Sequence, residues 1–242
     1  MQPLRVEKFA LMTLIFAAAA AVAAPVGASM SDLVRFLERA DRMFTVERVV
    51  QAKVAMTRSD GTKAAGVLVL DPSDGGGQYF SMEETGWRSR TPLSWDGEGR
   101  AVEKTDAAPR KVSVDDPLGG TDLRGIDFFP FWKTDYTTAF ISDESRLEKT
   151  VSLYAADERP YTLYVISFDK EKMVPRLIKY YRDSFSNMVR IRTDKDHVMV
   201  GGRPRPQKIM VRDFSENTLT TYDLEWSELE ETPEELVSWA TN

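Results

Sequence analysis

Histidine and acidic residues are the side chains best suited to acid–base or metal chemistry in a chain that contains no cysteine. The sequence has one histidine, His197, beside Asp196 and close to Asp194. A metal site or a general base needs further ligands or a nucleophile at a suitable spacing, and the nearby serines and acids follow no such motif. We therefore interpret His197 as an exposed turn residue, and we expect neither a catalytic role nor a metal site.

Two groups of carboxylates raise the same question. Asp115 precedes Asp116, and Asp122 stands close to Asp127, so each group has the composition of a catalytic carboxylate pair. Acids in turns are usually solvated, and we interpret all four in that way. The run Gly75 to Gly77 lacks the lysine and the following helix of a phosphate-binding loop, which indicates a flexible turn.

The composition narrows the class of protein. The chain has 242 residues, 42% of them hydrophobic and 29% charged, as in ordinary globular proteins. The absence of cysteine excludes disulfides, thiolate metal ligands, a cysteine nucleophile and a lipid-modified N-terminal cysteine. A net charge of −6 argues against nucleic acid as a partner. The basic run Arg203 to Pro206 either docks a partner or stiffens the entrance to a hairpin. We expect no enzymatic activity and no cofactor.

The N-terminal residues have the pattern of a signal peptide. Arg5 and Lys8 precede an apolar run from Phe9 to Ala24, which is short for a membrane span and ends in small residues. Cleavage is compatible with Ala23, Ala24 or Ala28. An uncleaved membrane anchor is the alternative. We expect residues 1–24 to be removed on export, leaving 25–242 as a single domain.

The hydrophobic periodicity predicts one long helix and many strands. A helix face with three-four spacing begins after Ser29 and consists of Leu33, Phe36, Leu37, Ala40, Met43 and Phe44. A period of two then predicts about ten or eleven strands, at 50–57, 64–70, 78–82, 87–95, 101–114, 147–155, 161–168, 176–182, 188–193, 207–214 and 218–226. Residues 135–141 suggest a helical turn. The chain has no βαβ alternation, so we predict a mainly β (α+β) fold, an incomplete antiparallel barrel with helical lid segments.

One stretch, Leu118 to Trp132, does not fit a meander of strands. It begins with flexible glycines and ends in a cluster of aromatic residues, a composition unsuited to either a helix or a free linker. We predict that it is a lid over one opening of the sheet. The gate residues are Gly120, Asp122, Gly125, Phe128, Phe129, Phe131 and Trp132.

Apolar and aromatic residues are abundant on the predicted strands. A curled sheet of this size can enclose an apolar ligand, although the same residues can equally form a filled core. The residues predicted to line a cavity are Val54, Met56, Val67, Val69, Phe80, Trp87, Tyr164, Ile166, Ile209, Tyr222 and Leu224.

Several short motifs, in this order, resemble the outer membrane lipoprotein-sorting protein family. They are Met56 to Gly61, Gly120 to Asp127, Pro175 to Asp183, Gly202 to Pro204, and Thr221. That family is related to the periplasmic lipoprotein carriers of the LolA and LolB type. The resemblance implies a LolA/LolB-like incomplete barrel with an apolar interior for acyl chains and without catalysis.

The resemblance also implies a function and partners. The expected protein is a periplasmic carrier, a monomer, that shuttles lipoprotein acyl chains or another lipid from the inner to the outer membrane. An inner-membrane transporter of the ABC or RND type would load it, and an outer-membrane acceptor would unload it. Two alternatives stay open: a lipid-binding accessory protein of an RND-type envelope exporter, and a structural or adhesive β-protein with a filled core.

Overall fold

The structure is a computed structural model that describes residues 30–73, 77–92, 99–102, 110–113, 115–128, 136–155 and 161–237. The predicted signal peptide and the gate residues Phe129, Phe131 and Trp132 lie outside these ranges. No helix among the described residues has the length and apolar character needed to cross a membrane.

Two helices and many strands follow one another in the part of the chain that the structure describes. The first helix, α1, spans Met30–Phe44, and a short α2 spans Glu234–Val237, while a 3-10 turn covers Gly125–Phe128. The strands are β1 Val50–Arg58, β2 Lys63–Asp71, β3 Gly77–Met82, β4 Arg88–Pro92, β5 Gly99–Val102, β6 Arg110–Val112, β7 Tyr136–Glu144, β8 Glu148–Ala155, β9 Leu163–Asp169, β10 Val174–Tyr181, β11 Met188–Val200, β12 Arg203–Asp213 and β13 Thr218–Glu228.

The strands described here form one antiparallel sheet of 13 strands, in the order β6-β5-β4-β3-β2-β1-β13-β12-β11-β10-β9-β8-β7. Nearly every strand pairs with its neighbour in sequence, and the pairing of β1 with β13 joins the two halves. Because β6 and β7 lie at opposite ends, the sheet is open, as predicted. The predicted strand count was too low, since the predicted strand at 101–114 contributes residues to both β5 and β6, and residues 136–141 of the predicted helical turn lie in strand β7. Strand β7 contains two threonines, Tyr136, Phe140 and Ile141, and β-branched and aromatic side chains favour a strand.

Helix α1 matches its sequence prediction. Its buried side chains recur at three-four spacing and are those of Leu33, Phe36, Leu37, Ala40 and Phe44. Asp32 in the first turn and Arg42 in the last turn complement the helix dipole. The buried stripe packs on the sheet, where Phe36 meets the ring of Phe168 edge to face at 5.3 Å between centroids. The helix therefore covers part of one face of the sheet.

The basic run that begins at Arg203 forms the first residues of β12, directly after the turn at Gly201 and Gly202, so it opens the second strand of the β11–β12 hairpin. Pro204, Arg205 and Pro206 are buried there. Arg205 donates hydrogen bonds to the carbonyl oxygens of Phe44, at 2.8 Å, and Thr45, at 3.3 Å. These carbonyl groups lie at the C-terminal end of α1, so Arg205 holds that end of the helix against the sheet.

Candidate functional site

One face of the sheet, which we call the inner face, carries apolar side chains on most of the strands. Directly paired residues of antiparallel neighbours lie on the same face. Val151 pairs with Ile166, and Ile166 pairs with Ile178. In the other half, Met56 pairs with Tyr222, which itself pairs with Ile209. Helix α1 packs on the first of these groups, so both groups belong to the face that α1 covers.

A buried ionic cluster divides this apolar face. Arg192 on β11 lies opposite Ile178 of β10 on one side and Val211 of β12 on the other, so the charge sits between two hydrophobic clusters. Arg190 lies two residues earlier on the same face, and both arginines are 1% exposed. Such charges are tolerated in an interior only with close partners.

The partners of the arginines come from two different parts of the fold. Arg192 forms a double hydrogen bond with Asp194 of its own strand, both at 2.6 Å. Arg190 forms a double hydrogen bond with Asp127 of the 3-10 turn, at 2.9 and 2.6 Å. The hydroxyl of Tyr180 donates to the same Asp127 carboxylate at 3.1 Å. Asp127 is thus the acid that joins the turn to the centre of the sheet.

The electrostatic balance at Asp127 favours the charged form. Burial by itself raises the pKa of this carboxyl, but the Arg190 guanidinium and its hydrogen bonds outweigh burial and lower the pKa to about 2. Burial, together with the Asp127 charge, raises the pKa of the Tyr180 hydroxyl well above its ordinary value. Tyr180 therefore remains a neutral hydrogen-bond donor, and Asp127 remains ionised at neutral pH.

Residues 115–128, which we call the closing segment, lie across the inner face. Leu123 and Phe128 pack in the cluster that contains Met56 and Tyr222, whereas Ile126 packs in the cluster that contains α1. A second acid, Asp122, accepts hydrogen bonds from Thr218, at 3.2 Å, and Thr220 of β13. The Asp122 N–H donates to the Tyr222 hydroxyl at 2.8 Å. The closing segment is therefore held to the sheet by polar contacts from Asp122 and Asp127.

The interpretation of Asp122 and Asp127 as solvated turn acids is wrong. Asp127 is 2% exposed, and the side chain of Asp122 is 8% exposed. Side chains of the strands donate hydrogen bonds to each carboxylate, so both carboxylates face the sheet and not the solvent. Asp115 is also partly buried and lies 3.5 Å from Arg124. Burial raises the pKa of Asp115 to about 6, although Arg124 opposes the rise.

Nine of the eleven residues predicted to line a cavity lie in the two inner-face clusters. All nine are between 0% and 6% exposed, because α1 and the closing segment cover them. They are Val54, Met56, Phe80, Trp87, Tyr164, Ile166, Ile209, Tyr222 and Leu224. Val67 and Val69 instead lie on the opposite face, packed with Tyr79 and Leu236. Strand β2 is apolar on both sides, so alternation could not assign its faces.

The described gate residues are placed as a cover. Gly125 accepts a 2.7 Å hydrogen bond from the Gln78 amide through its carbonyl oxygen, and the Gly120 carbonyl accepts one from Arg58 at 3.2 Å. Phe128 is 3% exposed and lies beneath the guanidinium of Arg192, 5.9 Å from ring centroid to Cζ. Gly120, Asp122, Gly125 and Phe128 therefore all belong to the closing segment.

The sequence reasoning missed the arginines and Asp194. In Arg190, Arg192 and Asp194 the charges alternate with Ile191 and Thr193, a pattern typical of a solvent-exposed strand face. In the structure, however, the charged side of this strand segment is the buried inner one. The useful signal was the close spacing of two acids, Asp122 and Asp127, within an otherwise glycine-rich and aromatic segment.

The remaining candidates for chemistry are separate from this cluster. His197 lies within β11, half-buried opposite Pro206, and is not in a turn as expected. Burial lowers its pKa, so the imidazole is mainly neutral at pH 7. In the part of the chain that the structure describes, no group of three or more His, Cys, Asp or Glu side chains is arranged to hold a metal ion.

Several solved structures share this arrangement of strands. No protein-family model and no curated protein sequence matches the chain. An outer membrane lipoprotein-sorting protein domain from Vibrio parahaemolyticus superposes with a TM-score of 0.70 at 10% identity, over 84% of this chain and 94% of that one. A LolA superfamily protein from Nitrosomonas europaea gives a TM-score of 0.62 at 15% identity, over 83% and 94%.

The fold is LolA-like. A DUF1329 family protein from Desulfovibrio piger extends the comparison, with a TM-score of 0.69 at 13% identity over 83% of this chain and 93% of that one. In this LolA-like sheet the inner face is the side that α1 and the closing segment cover. The Asp127–Arg190 pair is the central contact between the sheet and that cover.

Proposed function

We propose that the protein is an exported carrier that binds the acyl chains of lipoproteins, or of other lipids, on the inner face of its sheet. The observation that carries this proposal is the inner face itself, two hydrophobic clusters spread over most of the strands beneath a cover. The closing segment forms much of that cover. It consists of a short 3-10 turn and loops, and polar contacts hold it to the sheet. A cover of this kind separates from a sheet more easily than a paired strand does. The LolA-like fold supports the same function.

The mechanism follows from the energies involved. Each methylene transferred from water to an apolar surface stabilises the complex by about 0.8 kcal/mol, so two or three acyl chains supply a large gross binding energy. Displacing the closing segment costs its contacts, among them those of Asp127 and Asp122 with the sheet. This cost offsets part of the binding energy and allows the carrier to release its cargo.

The nine inner-face lining residues would contact the acyl chains, and Gly120, Asp122, Gly125 and Phe128 would move with the cover. We place the carrier in the periplasm, after removal of residues 1–24, as a monomeric domain without a cofactor. An inner-membrane ABC or RND-type transporter would load it, and an outer-membrane acceptor would receive the cargo.

Binding of a fluorescent fatty-acid analogue to the purified domain tests the proposal. We expect saturable binding that competes with an unlabelled lipid of the same chain length. Absence of saturable binding would favour a structural or adhesive β-protein with a filled core, and would overturn the carrier function.

Mass spectrometry of organic extracts separates the two kinds of carrier. The protein is purified from its native envelope and its bound material is extracted. Acylated peptides are expected for a lipoprotein carrier. Free lipids without acylated peptides would instead identify a lipid-binding accessory protein of an RND-type exporter.

A further inference from the structure

The contact between Arg190 and Asp127 has the geometry with which arginine binds free carboxylates and phosphates. Both terminal nitrogens of Arg190 donate to the two carboxylate oxygens, at 2.9 and 2.6 Å. The planar guanidinium fork matches planar or tetrahedral oxyanions in this way. Asp127 therefore occupies a position that suits an anion from another molecule equally well.

The two sides of this contact differ in how firmly they are held. Arg190 and Arg192 belong to the part of β11 that is paired with β10 on one side and with β12 on the other. Asp127 belongs to a four-residue 3-10 turn in the closing segment. If the closing segment moves as the proposed function requires, the arginines stay and Asp127 leaves.

Departure of Asp127 leaves a charge imbalance on the inner face. Arg192 keeps its double hydrogen bond with Asp194, but Arg190 loses the carboxylate that it contacts. A guanidinium left in an apolar interior without a counter-ion is strongly unfavourable. An anionic group on the incoming ligand would restore the balance.

Arg190 and Tyr180 carry further hydrogen-bond donors at this position. The Nε of Arg190 is buried and has no hydrogen-bond partner among the described residues. Tyr180 donates to Asp127 at 3.1 Å, and this donor is also released when Asp127 leaves. A phosphate presents more acceptor oxygens than a carboxylate, so it can use these donors as well as the terminal nitrogens.

From this geometry we infer that the carrier binds lipids with an anionic headgroup. The phosphate or carboxylate of the lipid replaces Asp127 in an anion seat formed by Tyr180, Arg190 and Arg192. The hydrophobic clusters on the two sides of β11 place the acyl chains next to this seat. Asp127 acts as an internal substitute for the headgroup while no lipid is bound. The inference rests on the proposed function and names its ligand class.

The test compares lipids that differ only in the headgroup. The exported domain is incubated with vesicles of phosphatidylcholine that contain either phosphatidylglycerol or diacylglycerol with the same acyl chains, and protein-bound lipid is quantified by mass spectrometry after the vesicles are removed. A charge-assisted hydrogen bond contributes about 1.5–3 kcal/mol, so we expect phosphatidylglycerol to be enriched about tenfold or more over diacylglycerol, which has no phosphate. Equal retention of phosphatidylglycerol and diacylglycerol overturns the anion seat but leaves the carrier function intact. Retention of no lipid overturns both.

A variant pair isolates the role of Asp127. Asp127→Asn removes the competing charge and keeps the arginines, so we expect several-fold tighter binding of phosphatidylglycerol and unchanged binding of diacylglycerol. Asp71→Asn is the matched control, because Asp71 is a buried acid bound to Ser73 and Thr232 outside the inner face. Equal effects of both variants on phosphatidylglycerol would contradict the inference.

The double variant Asp127→Asn/Arg190→Gln keeps the test valid if the single variant unfolds. It removes both charges of the pair, and we expect a folded protein that no longer prefers phosphatidylglycerol. A preserved preference overturns the seat.

A last experiment separates two sources of the anion. If the lipid-free protein binds inorganic phosphate and shows no preference among lipids, the seat belongs to a soluble anion and the lipid headgroup is ruled out.

Discussion

Asp127 and Arg190 join two parts of the molecule through a double hydrogen bond of 2.9 and 2.6 Å between groups that are almost fully buried. Asp127 lies in the 3-10 turn of the closing segment, and Arg190 lies in the middle of the sheet on β11. Hydrophobic clusters flank the pair on both sides. The pair therefore connects the stability of the closed form with access to the apolar face.

Removing one partner of this pair is expected to destabilise the protein strongly. Asp127→Asn leaves the Arg190 charge buried without a counter-ion, and such changes cost about 3–5 kcal/mol. Urea denaturation gives the free energy of unfolding. The exposed Asp60, which caps a turn through Thr62, serves as the control when changed to asparagine. A loss below about 1 kcal/mol for Asp127→Asn would show that the pair contributes little to the closed form.

The contribution of Asp127 also predicts how stability depends on pH. The folded-state pKa of about 2 lies below the ordinary value of 3.8, so the unfolded chain binds more protons as the pH falls. The stabilisation is complete above about pH 4 and is lost as the pH falls towards 2. Urea denaturation between pH 6 and pH 3 should show the difference between the native protein and Asp127→Asn becoming smaller below pH 4. A difference that is constant over this range would contradict the assignment.

Asp115 is expected to behave in the opposite way. Burial raises its pKa to about 6, so the folded protein binds the extra proton between pH 4 and pH 6 and loses stability as the pH rises through that interval. Asp115→Asn removes this dependence. We expect the variant to be more stable than the native protein at pH 7.5 and to lose that advantage near pH 4. Greater stability of the native protein at pH 7.5 would mean that the Arg124 contact outweighs burial.

Helix α1 is expected to be an integral part of the core. Phe36 is 9% exposed and packs edge to face on Phe168, and truncation of a buried aromatic costs about 3–5 kcal/mol. Phe36→Ala should therefore lower the free energy of unfolding by that amount. Val34→Ala, on the exposed side of the same helix, should change it by less than about 0.5 kcal/mol. Similar effects of the two changes would indicate that α1 is loosely attached.

The regular elements were largely predictable from the sequence because their periodicity is strong. The apolar stripe of α1 and most strands were located correctly, and the open antiparallel sheet was expected. Strand β7 was missed because its exposed residues show no clear alternation. Val67 and Val69 were placed on the wrong face because β2 is buried on both sides.

The polar part of the site was not predictable from local pattern. The closing segment was recognised from its composition, but its attachment depends on Asp127 meeting Arg190, and these residues are far apart in sequence. Local alternation also suggests that Arg190 and Arg192 face solvent. Only the strand order brings the two arginines beneath the closing segment.

A disulfide that fixes the closing segment to the sheet tests whether acyl chains enter beneath that segment. A β-carbon built on Gly119 would lie 2.6 Å from Cγ of Met82, so cysteines at these two positions are within bonding reach. The chain has no cysteine of its own, and the double variant Met82→Cys/Gly119→Cys therefore forms a single defined crosslink. Because Gly119 has a φ of +59°, its replacement carries a backbone strain of about 1–2 kcal/mol, and the Gly119→Cys single variant measures this strain together with the close approach of the new β-carbon to Met82 and Trp87.

Uptake of the fluorescent fatty-acid analogue is then compared between the oxidised and the reduced double variant. If acyl chains bind beneath the closing segment, the crosslink should raise the activation free energy of uptake by more than about 1.4 kcal/mol, which slows uptake by about tenfold or more. Reduction of the disulfide should restore the original rate. The single variants should show no dependence on redox state. Equal uptake by the oxidised and reduced double variant would contradict the account, because the ligand would then reach its site without displacement of the closing segment.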